Sequence, residues 1–170
     1  LRFIKYFGQY FRYIPLQAPR IDLFTNREHR PRLVYAGGVR VGLATGLGGQ
    51  SVPLLERFFA GGATTIRGFE QNSIGPSLGR EPLGGEAMLV INNELRFPLV
   101  SIFDGVGFVD IGNVYNTVSD FSLRDIRKAA GMGLRVRTPW FLLRLDYGFN
   151  LDRAQGEPGG RLFFSIGQAF

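Results

Sequence analysis

Residues 141–150, FLLRLDYGFN, show the clearest alternation in the chain. Large apolar side chains occupy every odd position of this stretch, whereas Arg144, Asp146 and Asn150 fall on even positions. Successive side chains of a strand point to opposite faces of a sheet. The stretch therefore predicts a β-strand with one apolar face and one polar face.

Similar patterns recur along the rest of the chain, either as a period of two or as runs of aromatic, strand-forming residues. They predict further strands over residues 3–14, 32–45, 86–97, 102–116, 128–138 and 161–170. Pro98 is expected to close the third of these strands, and no helix is predicted. The connection over residues 16–31 is long and polar, which leaves the pairing of the first strand open. The apolar face of that strand is also open, because Lys5 and Gln9 fall on one side and Arg12 on the other.

The composition narrows the class of protein. Hydrophobic residues make up 45% of the chain, and no apolar run approaches the roughly 20 residues that a membrane helix needs. Strands that cross a membrane alternate, so the same composition permits a transmembrane barrel. There is no cysteine, which excludes disulfides and thiolate metal sites. Because the chain begins at Leu1 without an initiator methionine, we expect it to be a piece of a longer protein.

The charge and the titratable residues do not indicate an enzyme or a nucleic-acid-binding protein. The net charge of +6 comes almost entirely from single, scattered arginines and forms no dense basic run. His29 is the only histidine and lies in a polar connection, so no Ser-His-Asp set is expected. No cluster of metal ligands is visible either, and we predict no cofactor.

The connections are as informative as the strands. They alternate between short segments (98–101 and 138–140) and long ones (46–85, 117–127 and 151–160). Outer-membrane barrels have this asymmetry, with short periplasmic turns, long outer loops, an apolar outer face and a polar lumen. A soluble sandwich would instead turn its apolar faces into a core. The pattern favours a transmembrane barrel and leaves a soluble all-β fold as the alternative.

The longest connection contains the stretch ERFFAGGATTIRGFE, residues 56–70. Gly61 and Gly62 disfavour both a strand and a helix, so this stretch is predicted to be a loop. Loops of this length are usually functional or disordered, and the aromatic residues at 58, 59 and 69 argue against disorder. We expect the small residues to let its backbone pack closely against Gly131 and Gly133, and Arg67 is the candidate functional residue.

Several motifs together resemble the BamA/TamA outer-membrane assembly family, also called the bacterial surface antigen family. They are RFFAGGATTIRGF, NNELRFPL, GFVDIGNVY, GLRVRTP followed by LRLDYGF, and the ending FFSIGQAF. The resemblance covers the chain from about residue 32. The IRGF element, with Arg67, Gly68 and Phe69, stands at the position of the Val/Ile-Arg-Gly-Phe/Tyr motif of that superfamily.

The resemblance implies an all-β fold, a transmembrane antiparallel β-barrel of the outer-membrane type with about sixteen strands. Residues 1–170 would be its C-terminal seven strands, without the first strands and without the POTRA domains that precede the barrel in this family. The loop 46–85 would fold into the lumen, where Arg67 would reach Glu94 and Asp110. Asp104, Asp110 and Glu94 could also be imagined as paired catalytic carboxylates. The adjacent Arg67, Arg96 and Arg135 favour a structural ion-pair network instead.

The resemblance also implies a function without catalysis, the folding and insertion of outer-membrane proteins, in the outer membrane of a Gram-negative bacterium or a related organelle. Expected partners are the lipid bilayer, nascent outer-membrane proteins or a secreted partner, and accessory assembly proteins that bind the POTRA domains. A secretion pore or an anchor for a fused passenger domain is an alternative function. The terminal strand would carry a signal for the assembly machinery at Phe164, Ile166, Gly167 and Phe170. Gln168 departs from that signal, since an apolar residue is typical there.

Overall fold

The computed structural model describes residues 2–16, 20–22, 27–29, 33–100, 102–138, 140–153 and 156–167. Within these residues seven long strands form one sheet, and each strand pairs antiparallel with the next along the chain. They are β1 (Phe3–Pro15), β2 (Val34–Gly46), β3 (Ala87–Val100), β4 (Phe103–Tyr115), β5 (Arg127–Arg137), β6 (Leu142–Asn150) and β7 (Gly160–Ile166). The sheet is an up-and-down meander, as the alternation predicts.

Short elements occupy the connections. Two small antiparallel pairs join Arg20–Asp22 to Arg27–His29 and Ser77–Leu78 to Glu81–Pro82. Single 3₁₀ turns lie at Leu54–Glu56, Val118–Asp120 and Leu123–Asp125. None of the helices in the described part of the chain is long and apolar enough to cross a membrane.

The first strand is fully paired, which settles a point that the sequence left open. Its register with β2 runs without interruption from Phe3 opposite Gly46 to Pro15 opposite Val34. Lys5 forms an ion pair of 3.2 Å with Glu56 and lies over the Phe58 ring of the long loop. The face with Lys5 and Gln9 is therefore the loop side of the sheet.

Two strand ends differ from the sequence prediction. Pro98 does not close β3, which continues to Val100 past a register shift between Pro98 and Val100. An irregularity of this kind tolerates a residue that cannot donate to the ladder. At the other end of the chain, β7 stops at Ile166 and Gly167 has a φ of +101°, outside the strand region. Phe170 lies outside the described residues.

The two faces of the sheet have opposite chemistry. On β6, Arg144 and Asp146 are almost completely buried, whereas Leu145 and Phe149 on the other side are exposed. The same division holds on β3 and β4, where Glu94 and Asp110 are buried and Leu95 and Val109 are exposed. We call the face with the buried charges the inner face and the apolar, exposed face the outer face.

The segment 47–86 covers the inner face. Its apolar side chains pack with those of the strands into one cluster, formed by Val52, Phe58, Ala60, Ile66, Phe69 and Ile74 with Ala44, Met88, Val90, Val114 and Ala129. Isolated bridges between Phe58 and Gly85, and between Ala60 and Ile74, fold the segment back on itself. The long loop is thus a compact layer on the sheet.

Candidate functional site

Arg67 reaches the inner face because the loop backbone comes unusually close to β6. Gly68 has a φ of +94°, a conformation that favours glycine. A Cβ on Gly148 would lie 2.5 Å from the backbone nitrogen of Gly68 and 2.8 Å from the carbonyl carbon of Arg67. Two glycines therefore face each other where the loop and the strand meet, and this contact fixes the position of Arg67.

The expectation that the loop backbone packs against Gly131 and Gly133 is wrong. A Cβ on Gly131 would meet the Phe108 ring and the Tyr147 carbonyl oxygen, and one on Gly133 would meet Asp146 and Arg135. These two glycines make room for other side chains of the sheet. The backbone of the loop contacts Gly148 instead.

Three side chains of the sheet bind consecutive backbone carbonyls of the loop. Arg144 Nη2 donates to the Ala63 oxygen (3.3 Å), Arg40 Nη1 to the Thr64 oxygen (3.0 Å) and Asn92 Nδ2 to the Thr65 oxygen (2.5 Å). These donors lie on β6, β2 and β3 respectively. These three hydrogen bonds hold the loop by its backbone just before Arg67.

The guanidinium of Arg67 clasps two carboxylates. Its Nε donates to Asp110 Oδ2 (2.7 Å) and its Nη2 to Asp110 Oδ1 (2.8 Å), a two-pronged contact that suits a planar fork. The Arg67 backbone N–H also donates to Asp110 Oδ2 at 3.1 Å. Nη1 donates to Glu94 Oε1 at 2.5 Å. The structure thus brings together the three residues that the family resemblance associates.

The Arg67 side chain is 1% exposed, and those of Glu94 and Asp110 are fully buried. Its Cζ also lies 3.6 Å from the centre of the Phe108 ring, a favourable position for a cation. Burial by itself lowers the pKa of Arg67, but the hydrogen bonds and charge of Asp110, with the charges of Glu94 and Asp146, raise it above its ordinary value. Arg67 therefore remains charged.

Further arginines tie these carboxylates into a network. Glu94 also accepts from Arg96 at 2.8 Å and lies 3.4 Å from Arg135. Asp146 binds Arg135 at 2.6 Å and Arg144 at 2.9 Å, and it lies 3.8 Å from Arg67.

This network serves to hold the loop. Each of its three carboxylates contacts at least one arginine, so none is left as an unpaired acid or base. Asp104 does not join Arg67, since it precedes Asp110 by six residues on the same strand, roughly 20 Å away. Among the described residues, no group of three or more histidine, aspartate or glutamate side chains is placed to hold a metal ion.

The other predicted residues fall into two groups. The Phe69 ring is buried beside the loop–strand contact, with Arg127 Cζ 4.8 Å from its centre. Phe164 and Ile166 point outward from β7 and are exposed, and the Gly167 N–H donates to the Leu142 carbonyl oxygen. Phe164 and Ile166 therefore lie on the outer face, apart from Arg67. Their role as an assembly signal stays a prediction, and Phe170 lies outside the described residues.

Sequence reasoning missed the roles of Arg40, Asn92 and Arg144. Alternation places Arg144 on the polar face of its strand, so a signal for its burial was present. What alternation cannot show is which loop atoms each of them reaches, because this depends on the path of the loop across several strands.

An antiparallel meander with an apolar outer face and a buried, charged inner face defines this chain as part of a transmembrane β-barrel of the outer-membrane type. Its sequence matches the model of the Omp85 superfamily domain over residues 1–170. The chain belongs to the Omp85 superfamily.

Individual relatives agree with this assignment. The chain is 33% identical over 166 residues to the outer membrane protein assembly factor BamA of Nitratidesulfovibrio vulgaris, a match that covers 89% of this chain and 20% of that protein. It is 32% identical over 130 residues to a SAM50-like protein of Schizosaccharomyces pombe, covering 69% of this chain and 27% of that protein. It is 31% identical over 120 residues to the chloroplastic outer envelope protein 80 of Arabidopsis thaliana, a match that covers 66% of this chain and 15% of that protein. The chain thus spans about a quarter or less of these relatives.

A solved structure shares the fold. The crystal structure of BamA from Haemophilus ducreyi lacking POTRA domains 1–3 superposes with a TM-score of 0.77 at 21% sequence identity. The match covers 97% of this chain and 35% of that one. The seven-stranded sheet therefore has the architecture of part of a BamA barrel.

Proposed function

We propose that this chain is the C-terminal part of the β-barrel of a factor that folds and inserts outer-membrane proteins. Two of the relatives support this function by name, as an outer membrane protein assembly factor and as a SAM50-like protein. The protein resides in the outer membrane of a Gram-negative bacterium or of a related organelle. Its partners are the lipid bilayer and nascent barrel proteins, with accessory proteins bound through POTRA domains outside this chain.

The observation that carries the proposal is the buried clasp between the loop and the inner face. The loop is held by the ion pairs of Arg67, by hydrogen bonds to three consecutive backbone carbonyls and by the close contact between Gly68 and Gly148. A barrel that served only as a passive wall would not need a loop fixed in this way. In a closed barrel the inner face lines the lumen, so the loop 46–85 occupies the lumen. There it supports the barrel wall while the outer face meets lipid.

The mechanism requires no covalent chemistry of the chain. Insertion of a client barrel needs a scaffold that remains folded while strands pair and enter the bilayer, because unpaired backbone groups are costly in hydrocarbon. The buried ion pairs hold the loop and strands β3, β4 and β6 as one unit. We therefore propose a function without an enzymatic step.

The test uses the full-length protein that contains this region, reconstituted into phospholipid vesicles. An unfolded outer-membrane barrel protein is added, and its protease-protected fraction is followed with time. We expect faster protection than in empty vesicles, and slower protection with Arg67→Ala. The matched control is Arg124→Ala, since Arg124 is an exposed arginine of another loop.

Equal rates in loaded and empty vesicles would overturn the proposal. Transport of a soluble partner across the vesicle membrane, without any effect on the barrel client, would assign the protein to secretion instead.

A further inference from the structure

The outer face carries a groove that the clasp does not explain. It has a volume of about 370 Å³, at the lower end of the roughly 300–1,000 Å³ of ligand pockets. It runs across strands β3 to β7, and its lining is almost entirely apolar. Lining residues include Phe97, Leu99, Met132, Leu134, Leu145 and Leu162.

Gly105 of β4 lines the groove, and Gly107 lies two residues further along the same face of the strand. The Phe97 ring lies flat against Gly105, where a Cβ would be 2.5 Å from a ring carbon. At Gly107 a Cβ would meet no atom within 4 Å, so the surface there is bare. Opposite Gly107 in register stands Met132, which is 65% exposed and forms a flexible wall. The outer face of β4 is thus open at Gly107, with the Phe97 ring over Gly105 on one side and Met132 on the neighbouring strand.

The position of the groove indicates its occupant. The outer face of a transmembrane barrel meets hydrocarbon, so an apolar notch in it is filled by a lipid chain. Leu99 brings the groove towards the end of the sheet with the short connections. At that end lies Trp140, 89% exposed, beside the exposed Phe141. Exposed tryptophan and other aromatic side chains are typical of the level of the lipid headgroups.

We propose that this groove binds one acyl chain of a membrane phospholipid from the leaflet on the side of the short connections, and holds it longer than the surrounding lipid. The inference rests on the proposed function only in requiring that the outer face meets a bilayer. The headgroup lies at the level of Trp140, and the chain lies between Met132 and the Phe97 ring that covers Gly105.

The experiment places the photoreactive residue benzoylphenylalanine at position 132 of the full-length protein, in vesicles of phosphatidylethanolamine and phosphatidylglycerol. The protein is extracted in mild detergent, washed to remove unbound lipid and irradiated, and its mass is then measured by mass spectrometry. We expect a phospholipid adduct that survives washing. A Leu134→Trp change places a larger side chain in the groove and should reduce the adduct about tenfold, the loss expected when about two methylene groups no longer make contact.

Two further variants sharpen the result. Gly105→Ala lifts the Phe97 ring into the groove with a small change in volume, and should also reduce the adduct. Val109→Trp places the same tryptophan side chain on the outer face of β4, outside the groove, and should leave the adduct unchanged.

Three results would overturn the proposal. The first is an equal amount of adduct in all variants, the second is loss of the adduct on washing when the groove carries no further substitution, and the third is an adduct formed only with detergent or protein. Release of the protein from the vesicles by an alkaline wash would contradict the proposed function itself. The two failures are therefore distinguishable.

Discussion

Alternate residues of β6 face two different environments. Arg144 and Asp146 are buried under the loop, and both contact partners from other parts of the chain. Leu145, between them, is 42% exposed and points to the outer face. The inner face is stabilised by hydrogen bonds and ion pairs between specific residues. The outer face instead presents apolar side chains to its surroundings.

This difference shows how the two faces of one sheet are adapted to different environments, the covering loop on one side and apolar surroundings on the other. On the inner face, a substitution removes a specific partner and leaves another group buried without it. On the outer face, the main requirement is to avoid charge. The two faces should therefore respond to different kinds of substitution, which can be measured on the full-length protein in lipid vesicles by its free energy of unfolding.

The largest effect is expected for Arg67→Ala on the inner face. Removal of one partner from a buried ion pair costs about 3–5 kcal/mol, because the remaining charge is left uncompensated. Arg67→Lys should restore only part of this loss, since an ammonium group lacks the two-pronged contact with Asp110. Limited proteolysis of segment 47–86 should show faster cleavage in Arg67→Ala. An Arg67→Ala protein as stable and as resistant as Arg124→Ala would contradict the clasp.

The next largest effect is expected for Leu145→Arg on the outer face. Leu145 lies in the middle of β6, and an arginine facing lipid near the midplane costs about 2–4 kcal/mol. Leu145→Met, which keeps an apolar side chain of similar volume, is the control. If both variants unfold at the same urea concentration, the outer face does not meet lipid.

A smaller effect is expected from a single methyl group at the loop–strand contact. Gly148→Ala forces the loop backbone away from β6, and overpacking of this kind costs about 1–3 kcal/mol. Gly107→Ala on the outer face adds the same methyl group to open space and should be close to neutral. A reversed order of these two costs would mean that the loop does not lie against β6.

The smallest effect is expected for Glu56→Gln. Its ion pair with Lys5 is partly exposed, with side-chain exposures of 45% and 32%. Exposed pairs of this kind contribute about 0–1 kcal/mol and weaken with salt. Urea unfolding at low and high salt should show little change. A loss as large as that of Arg67→Ala would remove the distinction between buried and exposed pairs.

The sequence predicted the two faces of β6, because alternation is a local property of the strand, but it left the faces of β1 open. It therefore placed Arg144 on the polar side, while the family resemblance associated Glu94 and Asp110 with Arg67. It did not identify Gly148 as the contact of Gly68, and it proposed Gly131 and Gly133 instead. Those choices depend on strand register and on the path of the loop, which contacts far apart in sequence decide. The continuation of β3 past Pro98 was missed for a similar reason, since a register shift accommodates the proline.

The central claim is that Arg67 joins the loop to the strands through Asp110 and Glu94. A double-mutant cycle tests it most directly, with Arg67→Ala combined with Asp110→Asn, and separately with Glu94→Gln, and the free energy of unfolding measured in vesicles. We expect a coupling above about 1 kcal/mol with Asp110. The coupling with Glu94 should be smaller, because Arg96 and Arg135 still contact Glu94 when Arg67 is removed. Effects that add within about 0.3–0.5 kcal/mol in both cycles would contradict the claim.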